Sequence, residues 1–183
     1  EGASKAYPAR LQAALERRLP GVTVNVVSQA KMRQPTADMA NTLDKLLIDA
    51  KPTLVLWQTG TVDAMRGVDP DEFRSTLEDG VEKLQAGNAD VVLINMQYSP
   101  RTESMIQFGT YADYMRVVAR ERDVPLFDRF GLMRHWSDNG SFDFYAAAMD
   151  NALASKVHDC LGRALAALVI EASHLDKYQK AGR

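Results

Sequence analysis

Leu11, Leu15 and Leu19 recur every four residues along Ala9–Leu19, so the spacing predicts a helix with one apolar face. The Tyr7-Pro8 pair leads into it and Pro20-Gly21 stops it. Val22–Val27 (VTVNVV) is β-branched and short, which predicts a strand. Thr36 or Asp38 caps a second helix with Met39, Leu43, Leu46 and Leu47 at helical spacing, ended by Pro52. Thr53–Trp57 (TLVLW) is almost uniformly apolar, the pattern of a strand covered on both faces. A Gly60–Gly67 loop follows. Asp69-Pro70-Asp71-Glu72 then supplies a cap, an early proline and first-turn acids to a helix that reaches Gln85 and stops at Gly87. Ala89–Met96 (ADVVLINM) is the third apolar strand, and a long connection from Gln97 to Ile106 leads to a helix at Tyr111–Arg122. Val124–Phe127 reads as a fourth, short strand. The last helix, Ala152–Ser173, carries Val157, Leu161, Leu165 and Leu168 on one stripe, and Lys177–Arg183 reads as a frayed tail.

Strands that alternate with helices of this length build βαβ units, hence an α/β fold with a parallel sheet and helices on both faces. No internal repeat, low-complexity tract or domain boundary interrupts the pattern, which predicts a single domain over residues 1–183, with 1–176 as core. Its first element is a helix that no strand precedes.

Composition narrows the function classes. Lys and Arg number 22 against 24 Asp and Glu, and a net charge of −2 argues against a general nucleic-acid binder. A 46% hydrophobic fraction supports one full core. One cysteine excludes an internal disulfide and a multi-thiolate zinc site. The longest apolar run, Leu165–Ile170, is far short of the ~20 residues that span a bilayer, so no membrane span is expected. No signal peptide is visible, although a mature chain has already lost one; an exported or periplasmic location is slightly favoured over the cytoplasm.

Ligands of parallel sheets bind at the carboxyl ends of the strands, which directs attention to Ser28–Pro35, Gln58–Gly67, Gln97–Gln107 and Asp128–Asp143. None carries a GxGxxG or GxxxxGKS cradle, and no acidic cluster follows Val27 or Met96. His158, early in the last helix, has two readings: a general base for a hydroxyl nucleophile, or a partly exposed helical histidine with one backbone hydrogen bond. His135 is expected to pack on Trp136, and His174 to be solvated in the C-terminal turn. Cys160 is adjacent to His158 in sequence, but such neighbours diverge on a helix, so a small buried thiol is expected rather than a dyad. Gly60-Thr61-Val62-Asp63 is either a turn that meets a substrate or a tight turn capped by Asp63. Ser99–Ser104 is either a substrate-facing loop in which Arg101 reads an anion or a solvated connection.

In order and spacing these segments resemble the SGNH/GDSL hydrolases, Ser-His esterases and lipases on a three-layer α/β/α flavodoxin-like fold, over nearly the whole chain. Glu1-Gly2-Ala3-Ser4 followed by Tyr7-Pro8-Ala9-Arg10-Leu11 resembles the segment after the family's first block, Gly-Asp-Ser-x-Thr-x-Gly. Val26-Val27-Ser28-Gln29-Ala30 falls on the second block, and Trp57-Gln58-Thr59-Gly60-Thr61-Val62-Asp63 falls on the third, Gly-x-Asn-Asp. Val157-His158-Asp159-Cys160-Leu161-Gly162 falls on the fifth, Asp-x-x-His-Pro. Gly60, Asp63 and His158 match. The resemblance places the nucleophilic serine about three residues before Glu1, and Ser4 lacks the preceding strand a substitute would need. It also implies an oxyanion hole at positions held here by Ala30 and Val62. Ala30 offers only its backbone N–H, and Val62 has no side-chain donor. Ser155 stands where an acid normally orients the histidine, a role for which Asp150 or a backbone carbonyl is the replacement.

The resemblance therefore implies hydrolysis of acyl or acetyl esters, glycan esters included, with His158 as base. Ala30, Gly60, Thr61 and Asp63 line the oxyanion and substrate pocket, and neither cofactor nor metal is expected. The altered positions equally suit a catalytically degraded domain that binds a glycan, an acyl group or a protein. A doubly wound nucleotide-binding domain outside the family is the third reading. In a flavodoxin-like sheet of order 2-1-3-4-5 the absent first strand lies between Val22–Val27 and Thr53–Trp57. Its absence would leave two interior edges unpaired, so a segment before Glu1 or another chain is expected to fill the gap.

Overall fold

The computed structural model describes residues 6–147 and 150–173. Ser4, His174 and the tail 177–183 lie outside the described residues. α1 (Tyr7–Arg18) opens on Pro8 and buries Leu11, Ala14 and Leu15. The strand expected at 22–27 is not formed: residues 22–31 hold no regular structure, with Val22 48% and Val27 65% exposed. A β-branched run favours strands only when a ladder receives it, and this run, with only Val24 and Val26 partly buried, has none. Its Val22 N–H is donated to the Leu19 carbonyl (3.1 Å) and its Val26 N–H to the Gln12 side-chain oxygen (3.1 Å), neither of them a ladder bond.

The second expected helix is two, α2 (Thr36–Ala40) and α3 (Leu43–Ala50). They part at Thr42, whose hydroxyl bonds back to the Met39 carbonyl (2.7 Å), and α3 ends on Lys51 in the left-handed region (φ 44°). β1 (Leu54–Gln58) follows. The expected Gly60–Gly67 loop instead contains α4 (Thr61–Arg66), held between two glycines at φ 93° and 63°. α5 (Pro70–Ala86) starts as its sequence dictates, with the Asp69 carboxylate accepting the Asp71 and Glu72 N–H groups (2.9 and 3.2 Å). After β2 (Asp90–Ile94), the long connection includes the single turn α6 (Pro100–Glu103) before α7 (Gly109–Glu121). β3 (Leu126–Phe127) is shorter than expected, and α8 (Arg129–Asp138) occupies a stretch read as loop. α9 (Phe144–Ala147) and α10 (Asn151–Ser173) complete the described chain.

Two compact units result, one of Glu1–Ala30 with Asn139–Arg183 and one of Lys31–Asp138. In the first, α1 lies against α10, whose buried stripe is Val157, Leu161, Leu165 and Val169. Leu168, expected on that stripe, is only partly buried. In the second, β1, β2 and β3 form a parallel sheet in that order, in register from Leu54↔Asp90 to Gln58↔Ile94 and from Leu93↔Leu126 to Ile94↔Phe127. The parallel α/β arrangement is thus as the alternation predicts. Its core joins Phe73, Leu77, Val81 and Leu84 of α5, Leu93 of β2, and Met115 and Val118 of α7. β1 has a single neighbour among the described strands and stands at the sheet's edge.

Gly162 lets α10 meet α1 closely: a Cβ there would lie 2.6 Å from Arg10 Cβ and 2.8 Å from the Leu11 backbone nitrogen. Gly→Ala inside a helix ordinarily stabilises by about 0.5–1 kcal/mol. Gly162→Ala is expected to reverse that sign and cost about 1–3 kcal/mol through overpacking, read as a lower urea midpoint.

Candidate functional site

The carboxyl ends of the three strands converge on a set of buried polar groups in the second unit. After β1 the chain runs through Thr59 and Gly60, both buried, into the first turn of α4. Gly60 is required twice over. Its φ of 93° disfavours any side chain, and a Cβ would come within 2.8 Å of Met96 Sδ. Asp63, one turn later, is buried, and its carboxylate accepts the Thr36 backbone N–H (2.9 Å) and the Thr36 hydroxyl (2.8 Å). The Thr36 hydroxyl also shares a short hydrogen bond with that of Thr59. These bonds tie the start of α2 to the end of β1, and they engage Asp63 in holding the turn.

After β2, Asn95 is fully buried and reads the next loop with both ends of its amide. Its nitrogen donates to Asp128 Oδ1 (2.7 Å) and its oxygen accepts the Phe130 N–H (2.9 Å). Asp128 also accepts from the Gly131 N–H (2.9 Å) and from Arg116 (3.1 Å). Burial pushes the Asp128 carboxyl up, but the bonds from Asn95, Gly131 and Arg116 outweigh it and hold the group below its ordinary value. Next to it, Arg129 is only 4% exposed, and its guanidinium donates to Gln58 Oε1 (3.0 Å) and Gln97 Oε1 (2.8 Å).

The sequence-derived candidates separate into groups. Gly60, Thr61 and Asp63 do share one turn at the sheet's carboxyl edge. Ala30 is exposed in the irregular stretch 22–31. His158 is half-buried on α10 in the first unit, its ring stacked on Tyr7 (centroids 6.4 Å apart, planes 10° apart). Ser155, where an acid was sought, accepts a bond from Arg10 (3.3 Å). Asp150 caps α10 by accepting the Ala152 and Leu153 N–H groups (2.8 and 3.2 Å). Cys160 is a partly buried free thiol with Arg163 Nη2 at 3.4 Å. His135 is exposed on α8, and Arg101 is exposed on α6. Asn95, Gln97, Asp128 and Arg129 were not singled out. Their signal was polar residues placed directly after apolar strands, in INMQ and LFDR. Among the described residues no three His, Cys, Asp or Glu side chains group to hold a metal, and no helix is long and apolar enough to cross a membrane.

The model of the Non-GDSL lipase-like family matches residues 1–175. Esterase TesA of Pseudomonas aeruginosa is 29% identical over 119 residues, 63% of this chain, and the match spans 59% of that protein's length. A crystal structure of TesA superposes with a TM-score of 0.60 at 26% identity, covering 67% of each chain. LAE5, an alpha/beta hydrolase from the metagenome of Lake Arreo, Spain, superposes at 0.71 with 22% identity, over 93% of this chain and 82% of its own. The acetyl xylan esterase AlAXEase does so at 0.71 with 17% identity, over 92% and 91%.

Two stability experiments follow. Asp63→Ala strands a buried Thr36 N–H and hydroxyl without their acceptor, and is expected to cost about 2–4 kcal/mol in urea denaturation. Asp128, depressed in the folded state, stabilises above its unfolded pKa, and that contribution fades as pH falls through the folded value. The stability gap between wild type and Asp128→Asn should therefore be full at pH 7 and shrink steadily below about pH 4.

Proposed function

The chain belongs to the Non-GDSL lipase-like family, a divergent branch of the SGNH/GDSL hydrolases, and from that premise we propose that it hydrolyses acyl or acetyl esters, including esters on glycans. In this reading a serine borne before Glu1 is the nucleophile and His158 the general base. The serine oxygen attacks the ester carbonyl carbon while His158 takes the hydroxyl proton. The tetrahedral intermediate collapses, the C–O bond to the alcohol breaks, and His158 returns the proton to the leaving oxygen. Water then attacks the acyl-serine carbonyl as His158 takes its proton, and the bond to the serine oxygen breaks as His158 returns that proton to it, releasing the acid.

The observation that carries the reading is the family match over residues 1–175, and the resemblance of Val157–Gly162 to the family's Asp-x-x-His-Pro block supports His158 as the base. Its half-buried ring, stacked on Tyr7, has restricted orientation, which suits a base that must meet one hydroxyl. Among the described residues β1 has a strand neighbour on one side only, which suits a sheet that receives a further strand. A second reading, a domain that binds a glycan or acyl group without turnover, is favoured by particular substitutions. Val62 has no side-chain donor, Ala30 is exposed, and Ser155 is bound to Arg10 with no carboxylate in the acid's place.

Turnover of p-nitrophenyl acetate and butyrate by the full-length protein separates the two. Hydrolysis is expected, with kcat lowered about 10²–10⁴-fold in His158→Ala. Turnover that His158→Ala leaves unchanged would remove His158 as the base. Ligand retention without turnover would establish the binding module.

A further inference from the structure

Val62 leaves the carbonyl of a bound ester short of one side-chain hydrogen bond, yet the same sheet edge carries two amides whose orientation is fixed. A guanidinium only donates, so the oxygens of Gln58 and Gln97 must face Arg129 and their NH₂ groups must point away from it. Gln97 is exposed, and no described residue accepts from its Nε2. Its predecessor Met96 touches the Gly60 turn, with Sδ 2.8 Å from where a Gly60 Cβ would stand. Gln97 therefore presents two N–H donors at the sheet's carboxyl edge, joined through Arg129 to Gln58, which lies two residues before Gly60. The buried Arg129 locks it from behind.

We infer that the Gln97 amide donates to the carbonyl oxygen of the ester, replacing the donor that Val62 lacks, and that Arg129 is the positioning residue that aims it. The inference rests on the hydrolase reading and extends it to one more substrate-binding group. A donor already held in place needs no reorganisation when charge develops on the carbonyl oxygen, which is where such a bond contributes most to rate. Gln58 shares the Arg129 anchor and steadies the guanidinium from the β1 side.

Two variants of the full-length protein test the assignment. Gln97→Glu keeps an oxygen for Arg129 but removes the N–H donors, whereas Gln97→Leu removes both. Both should lose about 10²–10³ in kcat on p-nitrophenyl butyrate with KM changed only a few-fold. The Glu variant should keep the wild-type melting temperature. A Gln97→Glu protein with wild-type kcat would overturn the inference. A readout independent of turnover is the Gln97 side-chain ¹⁵N–¹H pair, identified by its absence from the Gln97→Glu spectrum. It should shift on titration with the unreactive acyl analogue butyranilide, and a pair that stays in place would also overturn the inference. Failure of the hydrolase reading has a different signature: wild-type turnover that is absent or independent of His158, whatever the Gln97 pair does.

Discussion

Arg129 carries its charge to a position that water scarcely reaches, where each of its terminal nitrogens meets a carbonyl from a different strand end. Withdrawing an ion from water costs several kcal/mol, and such a group persists only where fixed dipoles surround it. Gln58 closes β1, Gln97 follows β2, and Arg129 follows β3, so one guanidinium holds the three loops in mutual register. Asn95 strengthens the arrangement by reaching Asp128 and the Phe130 N–H from the adjacent position. The apolar sheet below sets where the strands run. This polar layer sets where they stop and what their last side chains face.

The Asp63, Thr36 and Thr59 bonds serve the same end on the β1 side. They close the Gly60 turn from behind with groups that are all buried, so the turn's shape does not depend on a ligand. A rigid turn with its acid already engaged differs from one whose acid is available to a neighbouring loop. In this chain the acid of the turn is spent on Thr36.

Sequence pattern made the α/β alternation legible because buried strands and amphipathic helices leave strong, local signatures. Thr53–Trp57, the Asp69 cap and the stripe of α10 are examples. It failed where tertiary context decides. VTVNVV has every local mark of a strand and forms none, since a strand needs a partner that composition does not reveal. The stretch after Phe127 carries Gly131 and polar residues and reads as loop, but Asn95 and Asp128 satisfy the first N–H groups of α8 and so start a helix there. At the sheet's carboxyl edge, Gly60 and Asp63 were legible as parts of one turn after a buried strand. Gln97 and Arg129 were not, because their meaning arises only when residues 32 apart meet.

The Gly162 contact also bears on how the molecule is made. Arg10 and Ser155 bond across 145 residues of chain, and α1 finds its surface on a helix that ends at Ser173. The unit of Lys31–Asp138 is continuous in sequence and can condense as it leaves the ribosome. α1 is synthesised before that unit and must wait for α10, so its apolar face stays uncovered while the intervening residues are made.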